Sequence, residues 1–108
     1  MVKAERFSIW AVDLDPTKGS EQAGYRPVVV VSPNVMNQHL RTVIVAPMTT
    51  VIRGWPTRIQ ISHDNKTGEV ALDQIRTIDK TRLGKAMGAL DSEFHSQVLD
   101  TLADIFSE

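Results

Sequence analysis

No cysteine occurs among the 108 residues of this chain. That absence excludes a disulfide framework, thiolate metal ligands and a cysteine nucleophile, and it agrees with a reducing compartment. Long apolar runs are missing as well. Nothing approaches the roughly 20 residues of a membrane-spanning helix, and Lys3, Glu5 and Arg6 ahead of Phe7 leave no room for a secretory hydrophobic segment. The expectation is a cytoplasmic protein that does not engage a membrane. Aromatic residues make up only 6%, which is little with which to furnish a groove for proline-rich peptides. No HxxxH or HExxH spacing joins His39, His63 and His95, so each reads as a surface or packing residue. A glycine-rich phosphate loop and a nucleophile elbow are also absent. Neither a metal nor a cofactor is expected.

What is present has the balance of one globular domain, 1–108, with 42% hydrophobic and 23% charged residues. A chain this short buries a modest share of its surface, so self-association is a natural further stabiliser. The net charge is −1, but it is unevenly spread. Residues 1–85 hold all 12 basic side chains against 8 acidic ones, a net of +4, while residues 86–108 hold 5 acids and no base, a net of −5. A basic body of this kind can turn one positive face to phosphates; ordinary solvated surface is the alternative.

Apolar patterning predicts strands at Phe7 to Leu14, Val28 to Val31 and Thr42 to Ala46, the latter two punctuated by Pro33 and Pro47. A further pair is predicted at Thr57 to Ile61 and Glu69 to Leu72, joined through Asp64-Asn65-Lys66-Thr67-Gly68. Asp15 to Tyr25 is polar and contains Gly19 and Gly24, which reads as a surface loop. A short helical turn is expected around Asp79 to Leu83. Near the end, Phe94, Val98, Leu99, Leu102, Ile105 and Phe106 recur at helical spacing, with Asp91 or Ser92 as N-cap. The expected fold is mainly β within the α+β class: an SH3-like small barrel of curled antiparallel strands closed by a C-terminal amphipathic helix.

Polar residues gather at the ends of these strands. Glu21, Gln22 and Arg26 precede the Val28 run, and Thr49 and Thr50 follow Val45-Ala46-Pro47. Strand ends let a rigid sheet aim side chains into one groove. Singly, each also fits a surface role.

The segment Pro16-Thr17-Lys18-Gly19-Ser20-Glu21-Gln22-Ala23-Gly24-Tyr25-Arg26-Pro27-Val28-Val29-Val30-Val31-Ser32 resembles the signature loop and strand of the MazF/PemK toxins of type II toxin–antitoxin systems. The resemblance continues, in the family's order, through Val45-Ala46-Pro47-Met48-Thr49-Thr50, Gly54-Trp55-Pro56 and Asp73-Gln74-Ile75-Arg76-Thr77-Ile78-Asp79. It implies a homodimer that cuts single-stranded messenger RNA sequence-selectively and is inhibited by a cognate acidic antitoxin, through whose complex DNA binding would arise. The family's arginine falls on Arg26, its threonine on Thr49 and its loop glutamate on Glu21, which become the catalytic candidates. Some PemK-like relatives also use an aspartate, here Asp73, together with a histidine and an arginine that this chain replaces with Ser20 and Ala71. The Arg26 and Thr49 version of the site is therefore favoured.

The implied chemistry is attack by the RNA's own 2′-hydroxyl on the adjacent phosphorus. Arg26 suits the role of phosphate clamp, since a guanidinium grips two oxygens and stays protonated. Thr49 would donate a hydrogen bond, and Glu21 would be base or loop organiser. Candidate RNA contacts are Lys18, Gln22, Tyr25, Thr50, Arg53, Trp55, Asp73 and Arg76, with Asn37 and Arg58 as further possibilities. Trp55 reads equally as a buried turn anchor. The alternative function is a non-enzymatic toxin of the same fold that inhibits DNA gyrase by binding it; a peptide-binding module is a third reading.

Overall fold

The computed structural model describes residues 3–15, 18–21 and 24–107. Seven strands, β1 (Ser8–Asp13), β2 (Tyr25–Val30), β3 (Thr42–Thr49), β4 (Arg58–His63), β5 (Lys66–Ala71), β6 (Arg76–Asp79) and β7 (Ala86–Ala89), form one antiparallel sheet. Helix α1 (Asn34–His39) links β2 to β3, and α2 (His95–Phe106) follows β7. The strand order is β4-β5-β3-β2-β1-β7, with β6 paired to β3. The sheet curls into a half-barrel until its two outer strands meet: Nε2 of His63 on β4 lies 2.8 Å from the carbonyl oxygen of Met87 on β7.

The apolar run at Val28 to Val31 is continuous because β2 is covered on both faces. Val29 and Val31 join an inner core with Ile9, Ile59, Ile61 and Val70, against which α2 packs Val98, Leu99, Leu102 and Ile105. Val28 and Val30 join a second core with Val12, Leu14, Val43, Val45 and Ile78. Each fully buried aliphatic side chain of this kind stabilises the fold by about 1.5–3 kcal/mol. The helix uses the periodicity expected of it, but Phe106 stays 73% exposed.

Several expectations are corrected. Pro47 does not end its strand; β3 runs on to Thr49. It is tolerated because β3 changes partner there, pairing with β6 up to Val45 and with β5 from Met48, so one edge is unladdered at the proline. The turn between β4 and β5 is only Asp64-Asn65, with φ of 50° and 62°, a two-residue hairpin geometry that Asp and Asn accept, and Lys66 to Gly68 belong to β5. Neither Asp91 nor Ser92 caps α2 through its side chain; a 3₁₀ turn, Ser92–Phe94, leads into the helix. The turn expected near Asp79 is present as a 3₁₀ turn, Lys80–Arg82, with Thr81 N–H donating to Asp79. Helix α1 and strands β6 and β7 were not foreseen from the pattern.

Candidate nucleic-acid interface

The register of the sheet assembles a row of polar side chains. Val28 stands opposite Pro47, and the same antiparallel register carried two residues further sets Arg26 opposite Thr49. Thr49 pairs with Glu69, and Glu69 with Gln60. Arg26, Thr49, Glu69 and Gln60 thus cross four adjacent strands in line. Over part of this row opens a cavity of about 350 Å³, with Arg26, Met48, Thr49, Thr50, His63 and Met87 in its lining.

Arg26 is half-buried, and its Nη1 donates to the Met48 carbonyl at 3.3 Å, which orients the guanidinium against β3. Thr49 is 8% exposed. Its Oγ1 accepts from the Val51 N–H at 3.1 Å, so the hydroxyl proton is the donor it can offer a ligand oxygen. Gly68 forms the adjoining wall. A Cβ there would stand 2.5 Å from the Thr49 carbonyl oxygen, so only glycine allows β5 this close.

Behind the cavity lies an ion network. Glu69, 1% exposed, takes Arg58 Nη1 on Oε1 at 3.4 Å, and on Oε2 the N–H groups of Arg53 and Gly54 at 2.9 and 2.8 Å. Arg58 Nε also donates to Asp73 at 2.7 Å, and Thr57 Oγ1 donates to the same carboxylate at 2.9 Å. Burial pushes the Glu69 carboxyl up, but the two backbone N–H groups and Arg58 outweigh it and hold the group below the usual carboxylate range. Asp73 is lowered in the same way: burial opposes, and the bonds from Arg58 and Thr57 prevail. The partnership with Asp73 raises Arg58. The network ties the loop between β3 and β4 to the sheet, and Trp55 on that loop lies 4.6 Å above Arg58 and 5.6 Å from Arg53.

Two expected contacts are overturned by this packing. Arg58 is buried in the ion network and does not present its charge to phosphates. Asn37 is 3% exposed and bonded to the Ser32 hydroxyl and carbonyl, so it is an internal brace. Trp55 is 49% exposed, which removes the buried-anchor reading.

The structure also separates the catalytic candidates. Glu21 lies outside the Arg26 cavity, in a neighbouring depression of about 630 Å³ shared with Ser20, Pro47, Asp73, Gln74 and Arg76. There Glu21 Oε1 accepts from the Lys18 N–H at 2.7 Å and organises its own loop. Arg76 Nη1 donates to the Leu14 carbonyl at 3.1 Å. Thr50 borders the first cavity, whereas exposed Tyr25 borders neither and lays its hydroxyl end over Gly84. Gln22 lies outside the described residues. His63 and Glu69 were missed. Their signals were legible in principle, since His63 shares the alternating face of Ile59 and Ile61, and Glu69 opens the apolar run Val70-Ala71-Leu72.

Among the described residues no three His, Cys, Asp or Glu side chains are grouped to hold a metal ion. No helix among them is long and apolar enough to cross a membrane.

A family model described as the PemK-like, MazF-like toxin of type II toxin-antitoxin systems matches residues 5–106. The endoribonuclease toxin MazF of Escherichia coli K12 is 44% identical over 70 residues, 65% of this chain and 62% of that protein. The endoribonuclease EndoA of Bacillus subtilis 168 is 36% identical over 104 residues, 91% of this chain and 90% of that one. A mycobacterial endoribonuclease solved in complex with its cognate antitoxin superposes with a TM-score of 0.80 at 28% identity, covering 93% of this chain and 91% of that chain.

Proposed function

The chain belongs to the PemK-like, MazF-like toxin family of type II toxin-antitoxin systems, and from that membership we propose that it is an endoribonuclease that cuts single-stranded RNA at the Arg26 and Thr49 cavity. The observation that carries the reading is the placement of these two side chains opposite each other at the edge of one cavity, each oriented by a backbone bond. The 2′-oxygen attacks phosphorus in line and the 5′-oxygen leaves, so no protein nucleophile is needed. What the protein supplies is position and charge stabilisation. Arg26 grips two non-bridging oxygens and stands as proton donor to the leaving oxygen. Thr49 donates its hydroxyl proton to the phosphate. Bases splay against the exposed Trp55 and neighbouring polar groups, with Arg53 and Lys18 drawing in the backbone.

The working form we propose is a cytoplasmic homodimer whose RNA groove is blocked by an acidic antitoxin segment, as a complex with antitoxin is known for the mycobacterial relative. The relatives matched are named for RNA cleavage, and no observation favours inhibition of gyrase.

The test is incubation of the purified protein with single-stranded RNA in EDTA. Fragments ending in a 2′,3′-cyclic phosphate are expected. Cleavage that returns only on adding Mg²⁺ or Zn²⁺ would overturn the mechanism.

A further inference from the structure

We propose that Glu69 is a positioning residue for RNA binding: through the loop between β3 and β4 it sets Trp55 and Arg53 to take one unpaired base and a neighbouring phosphate; the inference rests on the nuclease reading above. The mechanism makes no use of this side chain, and its location is costly. A carboxylate only 1% exposed has lost its water, and a charge so placed is tolerated only with close polar partners. Arg58 has little need of it. That guanidinium already meets Asp73 at 2.7 Å through Nε and at 3.3 Å through Nη2, whereas its contact with Glu69 is 3.4 Å. The shorter bonds of Glu69 go to the loop, at 2.9 Å from the backbone N–H of Arg53 and 2.8 Å from that of Gly54. Its principal attachment is therefore the loop backbone and not the neighbouring charge.

Glu69 shares a sheet face with Arg26 and Thr49. Alternation along β5 sends Val70 into the inner core and Glu69 to the opposite side, and β3 does the same with Met48 and Thr49. Arg26 is on that side too, two residues from Val28 of the second core. Thr49 and Glu69 are direct register partners, so the loop that Glu69 holds passes over the sheet next to Thr49. It carries Val51, Ile52 and Trp55, each about half exposed, and the exposed Arg53. The fold gains nothing from holding solvent-exposed apolar side chains still. A ligand does gain, because a loop already in order loses less entropy on binding. The Arg58 guanidinium lies 4.6 Å from the Trp55 ring centre and that of Arg53 5.6 Å from it. Arg58 is itself fixed by Glu69 and Asp73, so the indole is steadied along with its backbone. Held in this way it is a platform for a stacked base, with Arg53 at hand for the phosphate.

The two ends of the loop are anchored separately. Thr49 Oγ1 accepts from the Val51 N–H at 3.1 Å, and at the far end the Arg58 N–H donates to the Trp55 carbonyl at 3.0 Å. Loss of the Glu69 carboxylate thus frees the middle of the loop and leaves the Thr49 hydroxyl in place, so its consequence falls on binding and not on the chemical step. Glu69→Gln is the matched change. The amide has one acceptor oxygen where the carboxylate has two, so whichever way it turns, its NH₂ faces a donor: either the loop N–H groups or Arg58.

The experiment measures cleavage of a single-stranded RNA and, separately, binding of the same sequence as DNA, which lacks the 2′-hydroxyl and cannot be cut. For Glu69→Gln, Kd for the DNA strand and KM for the RNA are expected to rise about 5- to 100-fold, the range that one stacked base carries, with kcat falling less than about threefold. Trp55→Ala should raise Kd to a similar extent, and the double variant should be little worse than either single one, since both changes remove the same contact. Additive losses, an unchanged Kd in folded Glu69→Gln, or a fall in kcat at constant KM overturns the proposal. Should Glu69→Gln fail to fold, two measurements decide. The Arg53 and Gly54 amides of free wild type must be protected from hydrogen exchange, and Trp55→Ala, a change at a half-exposed side chain, must raise Kd; failure of either overturns the role of Glu69. Wild-type protein that binds both strands without cutting the RNA sinks the nuclease reading itself, an outcome distinct from an active enzyme whose binding is indifferent to Glu69→Gln.

Discussion

Arg26 reaches the cavity from the first half of β2, with its guanidinium bonded to the Met48 carbonyl and its neighbours Val28 to Val30 supplying the strand's burial. Arg26→Ala should therefore lower cleavage about 10²- to 10³-fold, the usual loss for one preorganised charge-stabilising donor. Its melting temperature should stay within about 5 °C of wild type, a change of under 1 kcal/mol for a domain of this size. Rates and a thermal melt check both halves, and a variant that cuts normally removes the clamp. Glu21→Gln is the contrasting case. Its carboxylate serves the Lys18 N–H, which an amide oxygen can also do, so less than about a tenfold loss is expected. A loss as deep as that of Arg26→Ala would show that the loop carboxylate is the base after all. The family motif made Arg26, Thr49 and Glu21 visible in the sequence, because motif order survives any folding. Their division between two depressions was not visible, since it depends on where β3 passes from one partner strand to the other. The face that His63 takes could be read from its alternation with Ile59 and Ile61, but its contact with Met87 could not, because only the curl of the sheet brings β4 to β7.

At the scale of elements, the loop between β3 and β4 is secured by one buried carboxylate. Glu69 holds the backbone of Arg53 and Gly54 and the side chain of Arg58. Glu69→Ala leaves Arg58 facing only Asp73 and two N–H groups without an acceptor, and removing one member of a buried ion pair costs about 3–5 kcal/mol. Chemical denaturation should show that loss. The same network sets an acid limit. Glu69 and Asp73 are both lowered in the folded protein, so the unfolded chain binds protons first as pH falls. Their contribution to stability is complete above the unfolded carboxylate range of about 3.9–4.3 and is lost as pH drops through the lower folded values. Melting temperatures measured from about pH 6 downward should fall most steeply below pH 4, and Glu69→Gln should flatten part of that slope. An identical slope in the variant would show that other carboxylates govern acid unfolding. Strands β1, β2 and β3 and the final helix were legible because their burial follows simple periods. Strands β6 and β7 are four residues long and owe their conformation to the strands beside them, which no local pattern records.

For the whole molecule, Val51, Ile52 and Trp55 form an exposed apolar stretch beside the cavity, each about half exposed. Burying such surface against a copy of the chain would join two basic faces into one groove. Light scattering at micromolar concentration should return twice the 12.0 kDa chain mass, and an acidic peptide from the cognate antitoxin should compete with RNA for the Arg26 cavity. A monomer active at full rate would dismiss the dimer, and a peptide that binds without slowing cleavage would dismiss the competition. The closing seam of the half-barrel carries one more consequence. β7 pairs with β1 through Ser8 and Ala89, and Met87 of that strand walls the cavity, so a nascent chain still lacking β7 has no complete cleft. Ribosomes add about 5–20 residues per second, so the strands before β7 are made some seconds ahead of the one that completes the cavity wall. On the nuclease reading proposed above, cleavage waits for the sheet's last strand, and the message being translated is spared by its own product until then.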